Sequence, residues 1–336
     1  MAPVLTEIAA RLPAGLVARV ADDADLERTV EFENRFATAA HWQSPAAARA
    51  FARSVPQPNR LGIVVERAGE IVAQGSVGDG GPWASPDGSW RGTARVAPEW
   101  RGRGIGKAIL GHLEEHARGH GAKRFVSAVR GDEPAGLAFA VSQGYREFHR
   151  RIDSFLELAS FDASRFAEPD ELARRAGVRL ATYEELRREH AADLDPFQRR
   201  LIDIVWQIAR DVPSPTPMPP QPPPFEQARR MFFEGPGFDP SASVLALRGD
   251  EPVGMTATTV KENGVAYTNF TGVSRAERGK GIALALKLRA LQDLRRRGVR
   301  LYGTTNDEQN AAMRGINERL GYVAEPPTII VGKALS

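Results

Sequence analysis

Two short stretches of the chain carry residues suited to holding an anion by its oxygens. The first runs from Val96 through Arg101-Gly102-Arg103-Gly104-Ile105-Gly106, and the second from Val273 through Arg278-Gly279-Lys280-Gly281-Ile282-Ala283. In each, an apolar strand-like run ends, glycine and basic residues make a tight turn, and a helical pattern begins. Such a turn exposes consecutive backbone N–H groups at the positive end of the helix, a geometry that suits a pyrophosphate. Gly104 and Gly281 keep side chains away from the point where the anion meets the backbone, while Gly106 and Ala283 let the first helical turn pack closely. Taken singly the signal is weak. There is no lysine followed by Ser or Thr as in a nucleotide-binding P-loop, and no acidic ribose-binding residue is placed for a dinucleotide fold. Recurrence in the same strand-turn-helix context raises its value; the plain alternative is two helix N-termini in a structural repeat.

The elements that must position these turns recur as well. Around the first turn, an extended piece at 16–20, a helix over 23–36, a hairpin over 61–73 containing Gly69, a strand over 90–96, a helix over 105–120 and a strand over 123–129 follow from the spacing of apolar residues. After residue 178 the order returns: helix mainly over 184–209, strands over 244–247 and 253–259, strand 265–273, helix 282–297 and strand 299–304. Gly104 and Gly281 lie about 177 residues apart, a repeat of whole domains and too long for a solenoid unit. The boundary is expected between Phe161 and Gly177, giving domains 1–165 and 166–336. The proline-rich run 213–224 falls inside the second repeat and favours an extended segment, either a stiff loop over a substrate cleft, or a surface excursion or partner-binding segment.

Composition narrows the function classes. A chain of 336 residues is about two domains long, and 42% hydrophobic with 26% charged residues supports packed cores. Absence of cysteine removes disulfides, thiolate metal sites and cysteine nucleophiles, and the six histidines are scattered, so no metal site is expected. The net charge of +3 is interleaved with acids, which argues against a nucleic-acid partner. No apolar run of about 18 residues and no leader pattern is present, so neither a membrane partner nor secretion is expected, and the cytoplasm is the default location.

With these residues in view, both turns resemble the acetyl-coenzyme A-binding motif of the GCN5-related N-acetyltransferase (GNAT) family: Arg or Gln, two residues, Gly, any residue, then Gly or Ala. Arg101, Gly104 and Gly106 fill it once, and Arg278, Gly281 and Ala283 fill it again. The resemblance spans nearly the whole chain as a tandem repeat, distantly like the mycothiol synthase type. It implies an α/β fold in which each domain has a mixed, mainly antiparallel sheet flanked by helices. It also implies a splayed strand pair in each domain, 90–96 beside 123–129 and 265–273 beside 299–304, between which the pantetheine arm would enter. Acetyl-coenzyme A is the implied cosubstrate, held by residues 96 and 101–106 (Val96, Arg101, Gly102, Arg103, Gly104, Ile105, Gly106) and by Val273, Arg278, Gly279, Lys280, Gly281, Ile282 and Ala283. Asn310 stands at the family's helix asparagine; the first repeat has Glu133 there, so the second domain is the expected catalyst.

A thioester transfers its acyl group to an amine without a metal or redox centre, provided that an uncharged nitrogen is brought close and the oxyanion and departing thiolate are stabilised. Many relatives use a tyrosine seven residues after the helix asparagine, where this chain has Asn317 and, in the first repeat, Ala140. Tyr302 and Tyr322 are substitutes if their hydroxyls turn inward; otherwise they fill a core edge. Glu262, before strand 265–273, is the nearest carboxylate to serve as base, or else a charged turn residue. Tyr267, Thr268, Asn269 and Thr271 offer a polar strand surface for the acceptor, and Trp206, Phe225, Phe232 and Phe233 line either an acceptor pocket or the core. The expected activity is N-acetylation of a small-molecule primary amine. A non-catalytic acyl-coenzyme A sensor, and transfer to oxygen or of a longer acyl group, stay open.

Overall fold

The computed structural model describes residues 5–39 and 41–335. Two compact units emerge, Met1–Arg150 with Pro215–Pro219 and Pro327–Ser336, and Arg151–Ser214 with Pro220–Pro326.

The first unit contains α1 (Thr6–Ala9), β1 (Val17–Val20), α2 (Leu26–Asn34), α3 (Pro45–Ser54), β2 (Leu61–Arg67), β3 (Glu70–Gly78), β4 (Ser89–Val96), α4 (Ile105–Gly119), β5 (Arg124–Arg130) and α5 (Pro134–Ser142). The strand β6 (Arg146–Glu157) carries the chain into the second unit. There follow α6 (Pro169–Arg175), β7 (Arg179–Thr182), α7 (Tyr183–Glu189), α8 (Leu194–Arg210), α9 (Phe225–Phe233), β8 (Val244–Arg248) and β9 (Glu251–Val260). Then come β10 (Val265–Val273), α10 (Ile282–Arg296), β11 (Leu301–Asp307), α11 (Ala311–Leu320) and β12 (Val323–Ala324), and β13 (Thr328–Ala334) returns to the first unit.

Within the first unit the strands lie in the order β1-β2-β3-β4-β5-β13, and within the second β7-β8-β9-β10-β11-β6. The neighbouring pairs β4–β5 and β10–β11 are parallel, and β5–β13 and β11–β6 are antiparallel. Each sheet is therefore completed by a strand from the opposite half of the sequence: residues 328–334 finish the first, and residues 151–157 finish the second. The expected mixed, mainly antiparallel sheets flanked by helices are present in both units. Helices α4 and α10 cover one face of their sheets, and α2 and α8 the other. Alternation sorts the side chains accordingly. In the second unit Val244, Ala246 and Ala266 pack against Leu284, Leu288, Leu291 and Leu294 of α10, while Leu245, Leu247 and Met255 pack against Phe197, Leu201 and Val205 of α8.

The returning strand β13 is tied in by charge as well as by its ladder. Glu114 on α4 is buried, accepting from Tyr145 Oη at 2.8 Å and from Lys333 Nζ at 2.6 Å. Taking away the cation leaves a buried carboxylate with one neutral donor. Lys333→Met is therefore expected to destabilise the first unit by about 2–3 kcal/mol in urea unfolding, against almost no effect for an exposed lysine.

The proline-rich run lies at the surface and is anchored on the first unit at one point. Its residues Pro215–Pro219 belong to the first unit, with Thr216 buried, Arg91 donating to the Thr216 hydroxyl, and Ser85 Oγ donating to the Pro217 carbonyl at 3.0 Å.

Candidate active site

The two glycine-rich turns adopt one geometry. Gly102 and Gly104 have φ of +75° and +81°, and Gly279 and Gly281 have +78° and +82°. Arg101 Nε donates to the Val96 carbonyl at 3.1 Å, and Arg278 Nε to the Val273 carbonyl at the same distance, so the motif arginine closes each turn onto the end of its strand. The first internal bonds of the helices run from the amides of Ala108 to Gly104 and of Ala285 to Gly281. Among the described residues, the amides of positions 102–107 and 279–284 meet no internal acceptor, leaving six consecutive donors per unit at a helix N-terminus. A Cβ built on any of the four glycines would meet nothing within 4 Å, so glycine is required there by backbone conformation and not by crowding.

The surroundings of the two turns differ in charge. In the second unit Glu277 accepts from Arg248 at 2.6 Å and Lys280 at 2.9 Å, and these two cations hold its carboxyl at about 2. Asp211 at the end of α8 likewise grips Arg275 and Arg278, whose hydrogen bonds bring it down to about 2. In the first unit the position of Glu277 is taken by Trp100, whose ring is flanked by Arg67 at 5.2 Å and Arg103 at 4.8 Å. Lys280 and Arg278 are thus engaged with carboxylates, and the directional contacts of the second turn fall to its amides.

Beyond the turns, both parallel strand pairs come apart. Pairing of β4 with β5 stops after Arg91 and Val126, and pairing of β10 with β11 after Thr268 and Thr304, although all four strands continue. A fork therefore opens in each sheet. The second unit alone of the two adds a bulge on the forked strand. Thr268 faces Thr258 and Phe270 faces Ala257, so Asn269 is an extra residue outside the ladder, whereas β4 pairs with β3 without interruption from Arg91 to Val96. A bulge frees main-chain groups and redirects the strand, here one residue past the last parallel pair.

On the α10 face of this fork lies a buried polar group. Tyr302 Oη bonds Thr258 Oγ1 at 2.7 Å, and Asn317 Nδ2 donates to Asn306 Oδ1 at 2.5 Å. Among the described residues Asn317 Oδ1 and Lys287 Nζ have no hydrogen-bond partner, and Thr268 Oγ1 and Tyr322 Oη make no well-formed hydrogen bond, although the Thr268 hydroxyl lies beside the phenols of Tyr302 and Tyr322. Burial raises the phenols of Tyr302 and Tyr322 above the usual tyrosine range, and lowers the amine of Lys287 to about 7. Orphaned buried polar atoms call for a role or a ligand. Tyr302 and Tyr322 therefore sit with hydroxyls fully inside the protein and not wetted at a core edge.

Of the other residues singled out from sequence, Asn310 is the N-cap of α11, its Oδ1 accepting from the Met313 amide at 3.3 Å. Glu262 is exposed on the β9–β10 turn, at the opposite end of β10 from the cradle. Trp206, Phe232 and Phe233 are core material: Phe233 stacks on Tyr183 and Trp206 meets Phe232 edge-on, while Phe225 lies under Arg199.

Sequence reading missed Asp153. It lies on β6 opposite Thr305, one residue past the fork, and is 5% exposed. Tyr267 Oη donates to it at 3.1 Å and the Thr305 hydroxyl donates to it as well. Burial and this carboxylate raise the Tyr267 phenol; burial lowers the amine of Lys261, which lies 5.6 Å from the Tyr267 ring. No local spacing points to Asp153, because the strand carrying it belongs in sequence to the first repeat.

Forked sheets with amide-lined turns at their mouths define the class of acyl-coenzyme A-dependent acyltransferases. The acetyltransferase (GNAT) family model matches residues 26–145 and again 203–322, and the chain belongs to that family. Among curated relatives, the mycothiol acetyltransferase of Geodermatophilus obscurus is 28% identical over 236 residues, 68% of this chain and 68% of that one. The mycothiol acetyltransferase of Thermomonospora curvata is 28% identical over 239 residues, 71% of this chain and 72% of the relative. In fold, a tandem GNAT protein from the clavulanic acid biosynthesis pathway matches with a TM-score of 0.71 at 21% identity, covering 96% of this chain and 99% of its own. A GCN5-related N-acetyltransferase from Sphaerobacter thermophilus matches with 0.68 at 21% identity, covering 96% and 97%. No helix among the described residues is long and apolar enough to cross a membrane.

Proposed function

We propose that the second unit transfers an acetyl group from acetyl-coenzyme A directly to the primary amine of a small molecule, and that the first unit holds coenzyme without turnover or serves as scaffold. The observation that carries this reading is the coincidence, in the second unit, of a free-amide turn, a fork and a bulge. The amides of residues 279–284 would receive the pyrophosphate, and Asn310 would donate to the pantetheine arm. The thioester supplies an activated acyl carbon when the coenzyme is bound. Main-chain groups released at Asn269 would then face the oxyanion, a preorganised contribution of the kind that dominates acyl transfer. The name carried by the curated relatives favours acetyl as the group moved.

A second reading has its own support. Asn317 and Ala140 occupy the positions of the family tyrosine, so a coenzyme-binding protein without turnover is the alternative; oxygen acceptors and longer acyl groups are variants of the first. Free-thiol release from acetyl-coenzyme A, followed with glucosamine, lysine and spermidine as acceptors, separates them. Amine-dependent release with a product heavier by one acetyl group is expected. Tight coenzyme binding without release under any acceptor would leave only the sensor.

A further inference from the structure

We infer that Asp153, brought to the second fork by the exchanged strand β6, is the base that receives the acceptor nitrogen on the α8 face of the sheet. The inference rests on the amine-transfer reading above and names the residue that makes it work.

Position comes first. Cross-strand partners share a face, and Tyr267 pairs with Thr259, while Phe270 pairs with Ala257, part of the cluster beneath α8. Thr305 and Asp153 are partners on β11 and β6, and Tyr267 Oη donates to Asp153 and touches the Thr305 hydroxyl, so all three face α8. Thr268 and Tyr302 face α10, which carries Lys287 over the Tyr302 ring and whose N-terminus carries the cradle. Donor and acceptor would thus approach the same fork from opposite faces, with Asp153 one residue beyond the last parallel pair and beside the bulge at Asn269.

Chemistry comes second. A primary amine reaches the enzyme near neutral pH as an ammonium ion, which has no lone pair to attack. Proton transfer from nitrogen to the Asp153 carboxylate breaks one N–H bond and makes one O–H bond. The freed pair then forms the C–N bond as the C–S bond breaks. The nitrogen's second proton ends on the departing thiolate, and the carboxyl returns its own to solvent. Tyr267 and Thr305, both donating to Asp153, hold the carboxylate in place.

The first unit supplies a contrast. Trp90 pairs with Phe125 where Ala266 pairs with Tyr302, so the counterpart of Tyr267 is Arg91, and those of Thr305 and Asp153 are Ala128 and Ile330. No carboxylate stands at that fork position, and Arg91 is bonded to Thr216 of the proline-rich run.

The test uses two kinds of nucleophile on the full chain. Hydroxylamine is uncharged near neutral pH and needs no base before it attacks, whereas glucosamine, lysine and spermidine do. Asp153→Asn is expected to cut thiol release with the amines about 10²–10³-fold, in the range of a lost general base, while release with hydroxylamine stays within about threefold. The rise in Tm on adding coenzyme A should equal that of the native protein, which shows fold and cradle intact. If the asparagine variant does not fold, Asp153→Ser takes its place. Equal loss with both nucleophiles, or no loss with the amines, overturns the role of Asp153. Native-protein release with hydroxylamine but with none of the amines overturns an ammonium acceptor, and no release with either removes the transferase reading and this inference with it.

Discussion

Gly281→Val is expected to lower kcat/KM for thiol release by about 10³-fold, and the matching Gly104→Val to change it less than twofold. Gly281 sits at φ +82°, a conformation that a β-branched residue reaches only with strain. A Cβ there meets nothing within 4 Å, so no core contact is lost and the stability of the second unit should hardly move. Strain is instead relieved by rotating the turn, which carries the amides of residues 279–283 out of register. A hydrogen bond to a charged oxygen contributes about 1.5–3 kcal/mol, so losing two of them corresponds to about 4 kcal/mol, or three orders of magnitude in rate. Gly104 has nearly the same φ in the first turn, yet it serves a fork without a bulge. Steady-state thiol release, with Tm recorded for each variant, checks both. Unchanged turnover in Gly281→Val would remove the second cradle from catalysis; lost turnover in Gly104→Val would move catalysis to the first unit.

The contrast between these two glycines shows what local sequence conveys. Strand, turn and helix around Gly104 and Gly281 are spelled out within about twenty consecutive residues, by apolar periodicity, by glycine at positive φ and by basic residues in the turn. Hence β10 spans the residues expected from its pattern, and α4 and α10 end within one residue of expectation. The bulge could not be read this way, because Asn269 is surplus only when β10 is counted against β9. Strand exchange lies further still from local information. The stretch Arg146–Glu157 alternates too irregularly and carries too many charges to read as a sheet-completing strand, and its pairing with β11 is a contact over some 150 residues. Asp153 was invisible for the same reason: its meaning is given by Tyr267 and Thr305, neither of which is near it in sequence.

Lys287 was legible in principle, and its consequences are the largest expected for stability. It stands on α10 three residues after Leu284 and four before Leu291, within the helix stripe that faces the core. Its side chain is fully buried, its Nζ has no hydrogen-bond partner among the described residues, and it lies over the rings of Tyr322 at 4.9 Å and Tyr302 at 5.9 Å. Cation–π attraction does not replace the lost hydration, and burial brings the amine down to about 7. An unfolded chain keeps this lysine near its ordinary 10.5, so between about pH 7 and 10.5 the unfolded state binds the extra proton. Stability of the second unit must therefore rise with pH across that window, by on the order of 4–5 kcal/mol, and be lowest below about pH 7. Lys287→Met keeps an unbranched chain of similar length and places a thioether beside Tyr322, a favourable contact. Near neutral pH it is expected to stabilise the unit by about 4 kcal/mol and to flatten its pH dependence. Urea unfolding at pH 6, 7 and 9 measures both effects. A methionine variant that is less stable than the native protein, or that keeps the same slope with pH, would mean that the amine has a partner inside the fold, and the buried polar atoms around Thr268, Asn317 and Tyr322 would then have to be explained as one connected network.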